Sequence, residues 1–210
     1  MKFENILFDL DGTLTDPGLG ITNSILYAFE KFGLPLPPRE ELYSYIGPPL
    51  IDSFQKNCGV TLQDAKKLLD LYREYFAPKG LFENTVYPGV AETLKQLNEN
   101  GLRLYLATSK PEPFAKQILE HFDLMQYFTF VGGSTMDETR TDKAEVIAYV
   151  LDANQLDPAK TLMVGDRKYD VEGGHSCRLS VAAVLYGYGD EAELAGADYL
   201  LSTPQELLNL

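Results

Sequence analysis

The sequence of 210 residues has only two cysteines, Cys58 and Cys177, and neither belongs to a Cys-x-x-Cys pair or to a cluster of cysteine and histidine. This gives no sign of a disulfide framework and favours a reducing compartment. The sequence also lacks any run that approaches the roughly 20 apolar residues of a membrane-spanning helix. Its first residues have neither the apolar stretch nor the cleavage site of a secretory signal. We therefore expect a cytoplasmic protein that does not enter a membrane.

Basic residues are scarce: 18 lysines and arginines stand against 31 aspartates and glutamates, which gives a formal net charge of −13. The acidic residues are spread along the chain, so the long-range field repels polyanions and argues against nucleic acid as a partner. A small anionic substrate stays compatible with this charge, provided that a metal ion and a few cations reverse the potential locally.

The organisation of the chain is inferred from alternating strand and helix signals, because there is no internal repeat, low-complexity tract or heptad array. A short apolar strand over 5–8 is followed by helical patterns as far as about residue 83. Apolar strands then alternate with helical patterns; the predicted strands are 104–107, 128–131, 162–165 and 181–185. We predict a core domain built from 1–16 and 84–210, with an all-helical domain inserted over 17–83.

Apolar strands separated by helices are typical of a parallel sheet that is covered on both faces. The sequence therefore predicts an α/β fold: a Rossmann-like, doubly wound parallel sheet with an inserted α-helical domain. Ligands of such sheets bind beyond the carboxyl ends of the strands. Candidate functional residues are therefore expected at the carboxyl ends of the strands.

Several polar residues either follow the predicted strands or begin a helix beside them. They are Asp9 and Asp11 after the first strand, Thr108, Ser109 and Lys110 after the second, Asp166 and Asp170 after the fourth, and Lys143 at the start of the helix before the fourth. Taken singly, such residues are also common in turns and helix caps. Their joint occurrence at strand ends favours a shared functional site.

The residue types at these positions suit phosphoryl transfer. Asp9, Asp11 and Asp166 would together offer an oxygen-rich site for Mg²⁺. An oxygen of Asp9 could then attack phosphorus, while Asp11 protonates the departing alkoxide and later activates water. Lys143 and Thr108 would hold oxygens of the phosphoryl group by charge and by a hydrogen bond.

The motifs that carry these residues resemble those of the haloacid dehalogenase superfamily, and in particular its phosphatases with a small helical cap. The segment Asp-Leu-Asp-Gly-Thr-Leu at 9–14 matches the first family motif. Thr108 matches the second motif, Lys143 the third, and Gly-Asp-Arg-Lys-Tyr-Asp at 165–170 the acidic fourth. The resemblance extends over essentially the whole chain.

This resemblance implies a role for each of the candidate residues. Asp9 is expected to form an aspartyl-phosphate, and Asp11 to act as general acid and base while binding metal through its backbone carbonyl. Asp166 is expected to bind Mg²⁺, with Asp170 supporting the metal directly or through water. The phosphate is expected to contact Thr108, Ser109 and Lys143. The helical insertion is expected to be a mobile cap that closes over the substrate.

Three segments are similar to those of bacterial proteins assigned as phosphoglycolate phosphatases or 5′-nucleotidases: 45–50, 107–111 and 185–189. A small phosphorylated metabolite is therefore the expected substrate. The protein is expected to be a monomer or a homodimer. Gly47 and Lys110 are candidates for substrate selection, although the two prolines after Gly47 are equally compatible with a simple turn.

The expected activity is Mg²⁺-dependent hydrolysis of small phosphate monoesters, like that of a phosphoglycolate phosphatase. A 5′-nucleotidase, a pyrophosphatase, a beta-phosphoglucomutase and a non-catalytic phosphate-binding module of the same fold remain open as alternatives. Asp11 argues against a haloacid dehalogenase, which does not need it, and the absence of histidine from 16–32 argues against the mutase. Glu138 and Arg178 stand where the family usually has glycine. A side chain in a left-handed turn costs on the order of 1 kcal/mol, so both positions predict altered local loops.

Overall fold

The structure is a computed structural model that describes residues 2–137 and 139–210. The chain divides into two compact units, one of Met1–Asp16 with Val86–Leu210 and the other of Pro17–Thr85. Glu138, for which an altered loop was predicted, lies outside the described residues. Arg178 does adopt the left-handed conformation, with φ of 63°. The backbone at Arg178 therefore has the left-handed conformation that glycine favours, which costs a residue with a side chain about 1 kcal/mol.

A six-stranded parallel sheet forms the centre of the larger unit, which confirms the predicted α/β class. The strand order is β5-β4-β1-β6-β7-β8, and each neighbouring pair is parallel. The strands are β1 (Asn5–Phe8), β4 (Arg103–Pro111), β5 (Phe128–Ser134), β6 (Thr161–Gly165), β7 (Ser180–Val184) and β8 (Tyr199–Leu201). Two shorter strands, β2 (Thr15–Asp16) and β3 (Thr85–Val86), lie where the chain leaves this unit and returns to it. The sequence analysis did not predict β2, β3 or β8.

The helices alternate with the strands of the larger unit and make up most of the smaller one. Those of the smaller unit are α1 (Gly18–Phe32), α2 (Arg39–Leu42), α3 (Leu50–Cys58) and α4 (Leu62–Phe76). Those of the larger unit are α5 (Val90–Glu99), α6 (Glu112–His121), α7 (Lys143–Asn154), α8 (Lys168–Ser176) and α9 (Glu191–Leu194). Short 3-10 helices occupy Tyr43–Tyr45, Gly80–Phe82, Met125–Tyr127, Pro158–Lys160 and Pro204–Asn209. Among the described residues, no helix is both long and apolar enough to cross a membrane.

A row of buried side chains runs across the sheet and fixes its register. Leu7 of β1 stands beside Tyr105 of β4 and Met163 of β6, and Met163 stands beside Val181 of β7. All four belong to one hydrophobic cluster that also includes residues of α7. Full burial of each such side chain is worth about 1.5–3 kcal/mol. Because side chains alternate along a strand, this register also determines where the residues after β1 and β6 emerge.

The smaller unit is helical, and it depends on close packing of glycine and aromatic residues. A Cβ atom on Gly20 of α1 would lie 1.9 Å from the carbonyl oxygen of Gly80, so only glycine allows this approach. The rings of Phe29, Tyr45 and Phe54 contact one another with centroid distances of 5.8–6.3 Å. These contacts give the unit an apolar core of its own.

Candidate active site

The carboxyl ends of β1 and β6 bring two of the predicted aspartates together. The backbone N–H of Asp9 donates to the carbonyl of Val164 at 2.9 Å, which continues the pairing of β1 with β6. Asp166 directly follows β6, and Asp170 lies in the first turn of α8. The pairing of the strands therefore places the carboxyl groups of Asp9, Asp166 and Asp170 near one another.

Lys143, the first residue of α7, is the cation at the centre of this group. Its Nζ lies 2.9 Å from Asp9 Oδ1 and 2.9 Å from Asp170 Oδ1, and it donates to the carbonyl of Ala107 at 3.1 Å. Burial alone would lower the pKa of Lys143, but the negative charges of Asp170 and Asp9 outweigh it and raise that pKa. Lys143 is therefore a permanent cation that fixes one oxygen of each aspartate.

Three buried carboxylates form a compact cluster beside this lysine. One oxygen from each of Asp9, Asp166 and Asp170 lies within 4.8 Å of the others. Lys143 offsets only one of the three charges, so an uncompensated negative charge would remain if all three were ionised. Burial raises the pKa of Asp166 well above its usual value, and burial also raises that of Asp170 to about 6. Three hard oxygen donors with excess negative charge fit a divalent cation.

The carboxyl group of Asp11 has a different neighbour. Lys110 Nζ donates to Asp11 Oδ2 at 2.5 Å, and both side chains are buried. Burial raises the pKa of Asp11 despite the opposing charge of Lys110. Asp11 Oδ1 is buried and accepts no hydrogen bond from the described residues. The cluster of side-chain carboxylates thus comprises Asp9, Asp166 and Asp170, while the side chain of Asp11 pairs with Lys110.

Two glycines pack closely against Asp166. A Cβ on Gly12 would lie 2.1 Å from Asp166 Oδ2, and one on Gly187 would lie 2.3 Å from Asp166 Cβ. The backbone N–H of Tyr188 donates to Asp166 Oδ2 at 2.8 Å. Thr13 Oγ1 lies at hydrogen-bond distance from Asp166 Oδ1, at 3.5 Å. Two separate chain segments therefore hold this carboxylate in one orientation.

Comparison with known proteins identifies the family to which this site belongs. The family model described as haloacid dehalogenase-like hydrolase matches residues 6–184, which contain the carboxylate cluster, Lys143 and Asp11. The chain is a haloacid dehalogenase-like hydrolase. The resemblance of the sequence motifs is thereby confirmed, and so is the expectation that the protein is an enzyme.

Individual relatives of this haloacid dehalogenase-like hydrolase carry several names. A 5′-nucleotidase of Pseudomonas aeruginosa is 42% identical over 92% of this chain and 88% of its own. Phosphoglycolate phosphatase 1 of the same species is 31% identical over 90% of this chain and 72% of its own. The tyrosine-protein kinase PtkA of Mycobacterium tuberculosis is 35% identical over 88% of this chain, which spans only 62% of that protein.

A solved structure of a relative has the same fold over the full length. The crystal structure of a predicted phosphatase from Clostridium acetobutylicum is 40% identical, covers 100% of both chains and superposes with a TM-score of 0.96. This agreement confirms the Rossmann-like core that the strand and helix pattern predicted.

Two of the three predicted phosphate-binding residues of this hydrolase, Thr108 and Ser109, lie within β4 and not after it, because β4 extends to Pro111. Thr108 is buried and stands beside Gly133 of β5, and the register shifts between Thr108 and Pro111. Thr108 Oγ1 accepts the backbone N–H of Lys110 at 3.2 Å. Ser109 is partly buried. The irregular end of β4 explains why the sequence pattern ended this strand too early.

Two predicted specificity residues have different positions in the hydrolase. Lys110 is buried and forms an ion pair with Asp11. Gly47 belongs to the smaller unit, between the 3-10 helix Tyr43–Tyr45 and α3, and has φ of 106°. Glycine favours this left-handed conformation, which supports a turn at that point.

The loop after β7 also contacts the site, and sequence reasoning gave it no role. Tyr188 bonds Asp166 through its backbone, and the glycines on either side of it pack against the same residue. The available signal was the alternation of tyrosine and glycine at 186–189, directly after a predicted strand. Only the tertiary contacts show that this segment packs against Asp166.

Proposed function

We propose that this haloacid dehalogenase-like hydrolase cleaves small phosphate monoesters through a phosphoryl group carried transiently on Asp9. The observation that carries the proposal is the arrangement of Asp9, whose Oδ1 lies 2.9 Å from Lys143 Nζ and whose carboxyl group forms a compact cluster with those of Asp166 and Asp170. A nucleophilic carboxylate must be ionised and oriented beside a group able to neutralise the incoming phosphate. Asp9 Oδ1 lies 2.9 Å from Lys143 Nζ, which places the carboxyl group beside such a cation.

In the first step, an oxygen of Asp9 forms a bond to phosphorus while the bond from phosphorus to the alcohol oxygen breaks. Lys143 holds Asp9 Oδ1 at 2.9 Å, so the carboxylate enters the reaction already oriented. Asp11 gives a proton to the departing oxygen. Its Oδ1 is buried without a donor among the described residues, while Lys110 fixes Oδ2. Asp11 is thus held by one oxygen and available through the other.

In the second step, water attacks the phosphoryl group on Asp9, and inorganic phosphate leaves. Asp11, now ionised, accepts the proton of that water. A positioned acid and base of this kind typically contributes about 10²–10⁴-fold to rate. Both steps balance in atoms and charge, and the enzyme returns to its initial state.

A divalent cation, proposed to be Mg²⁺, would be held by Asp9 and Asp166, with Asp170 and the backbone carbonyl of Asp11 in support. When bound, it supplies positive charge that lets an anionic substrate approach the acidic cluster. Thr108, Ser109 and Lys143 are proposed to bind the phosphoryl oxygens. The three buried carboxylates and their excess negative charge support this assignment.

A small phosphorylated metabolite is the proposed substrate class, and two members of it have specific support. The P. aeruginosa 5′-nucleotidase is more similar to this chain than phosphoglycolate phosphatase 1 is, at 42% against 31% identity, which favours nucleoside 5′-monophosphates over phosphoglycolate. The smaller unit, including Gly47, is proposed to be the cap that selects between them. We further propose a cytoplasmic location and a monomer or homodimer.

The test is a substrate panel assayed for released phosphate with Mg²⁺ and with chelator. Nucleoside monophosphates, phosphoglycolate, sugar phosphates and pyrophosphate are compared for the wild type, Asp9→Asn and Asp152→Asn. Asp152 is an exposed residue of α7 and serves as the matched control. The proposal expects Mg²⁺-dependent hydrolysis of monoesters that Asp9→Asn abolishes and Asp152→Asn preserves. Cleavage of pyrophosphate alone, or full activity of Asp9→Asn, would contradict it.

A further inference from the structure

The loop that follows β7 connects three parts of the candidate site. It comprises Tyr186, Gly187, Tyr188 and Gly189, and it is called the Tyr-Gly loop here. A Cβ on Gly189 would lie 2.1 Å from the backbone oxygen of Asp166, and one on Gly187 would lie 2.4 Å from the carbonyl of Gly12. The loop therefore packs directly against the segments that follow β1 and β6.

Tyr188 forms hydrogen bonds through both its backbone and its side chain. Its backbone N–H donates to Asp166 Oδ2 at 2.8 Å. Its hydroxyl group donates to Asp16 Oδ1, the last residue of the larger unit before the chain enters the smaller one. One residue thus connects a carboxylate of the cluster with the end of the segment that also contains Asp9 and Asp11.

Tyr186 provides a second attachment of the same loop, at a neutral acceptor. Its hydroxyl group donates to the carbonyl of Thr13 at 3.1 Å, and its ring packs against Tyr87 with centroids 5.0 Å apart. Removing this hydroxyl would leave the bond between Tyr188 and Asp16 in place. Tyr186 therefore offers a control within the loop for the loss of a tyrosine hydroxyl group.

We propose that Tyr188 is a positioning residue for metal binding: its bond to Asp16 fixes the peptide whose N–H orients Asp166. The inference rests on the proposed function, in which Asp166 binds a divalent cation. Asp166 shares a buried site with Asp9 and Asp170, and mutual repulsion favours rotation of the carboxylates away from one another. A fixed N–H donor opposes that rotation. Groups that orient metal ligands in this way typically contribute about 10–100-fold to metal affinity.

The experiment measures Mg²⁺ binding by calorimetry in the absence of substrate, together with the Mg²⁺ dependence of hydrolysis. Tyr188→Phe is expected to weaken Mg²⁺ binding about tenfold, with kcat at saturating Mg²⁺ close to that of the wild type. Tyr186→Phe is expected to retain the affinity of the wild type. Thermal unfolding without metal checks that both variants fold.

A second pair of variants tests whether Tyr188 acts through Asp16. In an Asp16→Ala background the bond is already lost, so Tyr188→Phe is expected to cause no further loss of Mg²⁺ affinity. Equal affinity of Tyr188→Phe and the wild type, or equal losses in Tyr188→Phe and Tyr186→Phe, would overturn the inference. A wild type that binds no Mg²⁺ would instead overturn the proposed metal site itself.

Discussion

Lys110 Nζ lies 2.5 Å from Asp11 Oδ2, and the two side chains form a buried ion pair between residues that are 99 positions apart. In the proposed mechanism, the pair leaves Asp11 Oδ1 as the oxygen through which the acid would act. Breaking such a buried pair by removing one partner typically costs about 3–5 kcal/mol, because the remaining charge has no partner. Lys110 is therefore expected to control the orientation and protonation of the proposed acid.

The first prediction concerns Lys110→Met and the leaving group of the substrate. An alkyl alcohol departs slowly without a proton, whereas p-nitrophenolate leaves as a stable anion. If Lys110 positions Asp11, kcat/KM for an alkyl phosphate should fall by about 100-fold, and that for p-nitrophenyl phosphate should fall much less. Steady-state kinetics on the two substrates measures the difference.

Lys116→Met provides the matched control for this prediction. Lys116 lies on the exposed face of α6, where its partner is Glu112, so the variant makes the same chemical change outside the site. It should leave both substrates unaffected. Losses of equal size for the two substrates in Lys110→Met would show that Lys110 does not act through the acid.

The second prediction compares two glycines that have nearly the same φ angle. Gly12 has φ of 88° and Gly33 has φ of 86°, so an added side chain strains either backbone by about 1 kcal/mol. A Cβ on Gly12 would meet Asp166 Oδ2 at 2.1 Å, whereas a Cβ on Gly33 has no described neighbour within 4 Å. Gly12→Ala should lose most Mg²⁺-dependent activity.

Gly33→Ala should lose only about 1 kcal/mol of unfolding free energy and keep its activity. Urea unfolding and phosphate release, measured on both variants, separate strain in the backbone from collision with the carboxylate. Full activity in Gly12→Ala would contradict the described packing around Asp166.

The third prediction is that Mg²⁺ stabilises the folded enzyme. A ligand at about 100 times its Kd adds about 2.7 kcal/mol to the unfolding free energy, which should raise Tm by several degrees. Asp166→Asn should abolish this rise. Without metal it should be more stable than the wild type, because burial of the Asp166 charge is unfavourable and raises its pKa. Differential scanning calorimetry with Mg²⁺ and with chelator tests this, and an undiminished rise in the variant would refute it.

The fourth prediction is a pH dependence of the metal-free protein. Burial raises the pKa of Asp170 to about 6, from 3.8, so the folded state binds this proton more tightly than the unfolded state. The resulting stability is fully present below about pH 4 and is lost as the pH rises through about 6. The difference between these pKa values corresponds to roughly 3 kcal/mol.

Asp170→Asn cannot ionise, so it serves as the reference at every pH. In chelator, the unfolding free energy of the variant minus that of the wild type should increase by roughly 3 kcal/mol between about pH 4 and pH 7. Urea unfolding at a series of pH values measures it. A difference that stays constant, or that decreases with pH, would contradict the raised pKa of Asp170.

Much of the fold followed from local sequence patterns, because apolar strands such as Asn5–Phe8 are separated by helical periodicity. The register of a parallel sheet then brings residues that follow different strands to one edge, and for this reason Asp9 and Asp166 could be predicted as neighbours. Strand β8 was not predicted, because its three residues are too few to show an alternation of apolar and polar side chains.

The finer contacts of the site could not be predicted, because they join distant residues. The pairing of Lys110 with Asp11 and the bond from Tyr188 to Asp166 depend on tertiary placement, for which no local pattern exists. Thr108 was likewise expected in a loop after the strand, but it lies within β4, whose end is irregular. Side-chain chemistry identified the candidates, and only the structure showed which of them contact one another.

The proposed aspartyl-phosphate can be tested by locating the phosphoryl group on the enzyme during turnover. Enzyme mixed with substrate is quenched rapidly in acid, digested and analysed by mass spectrometry, with Mg²⁺ and with chelator. The proposed mechanism predicts a phosphoryl group on Asp9 that forms only with Mg²⁺ and is absent from Asp9→Asn. Turnover that proceeds with the phosphoryl group on another residue would contradict it.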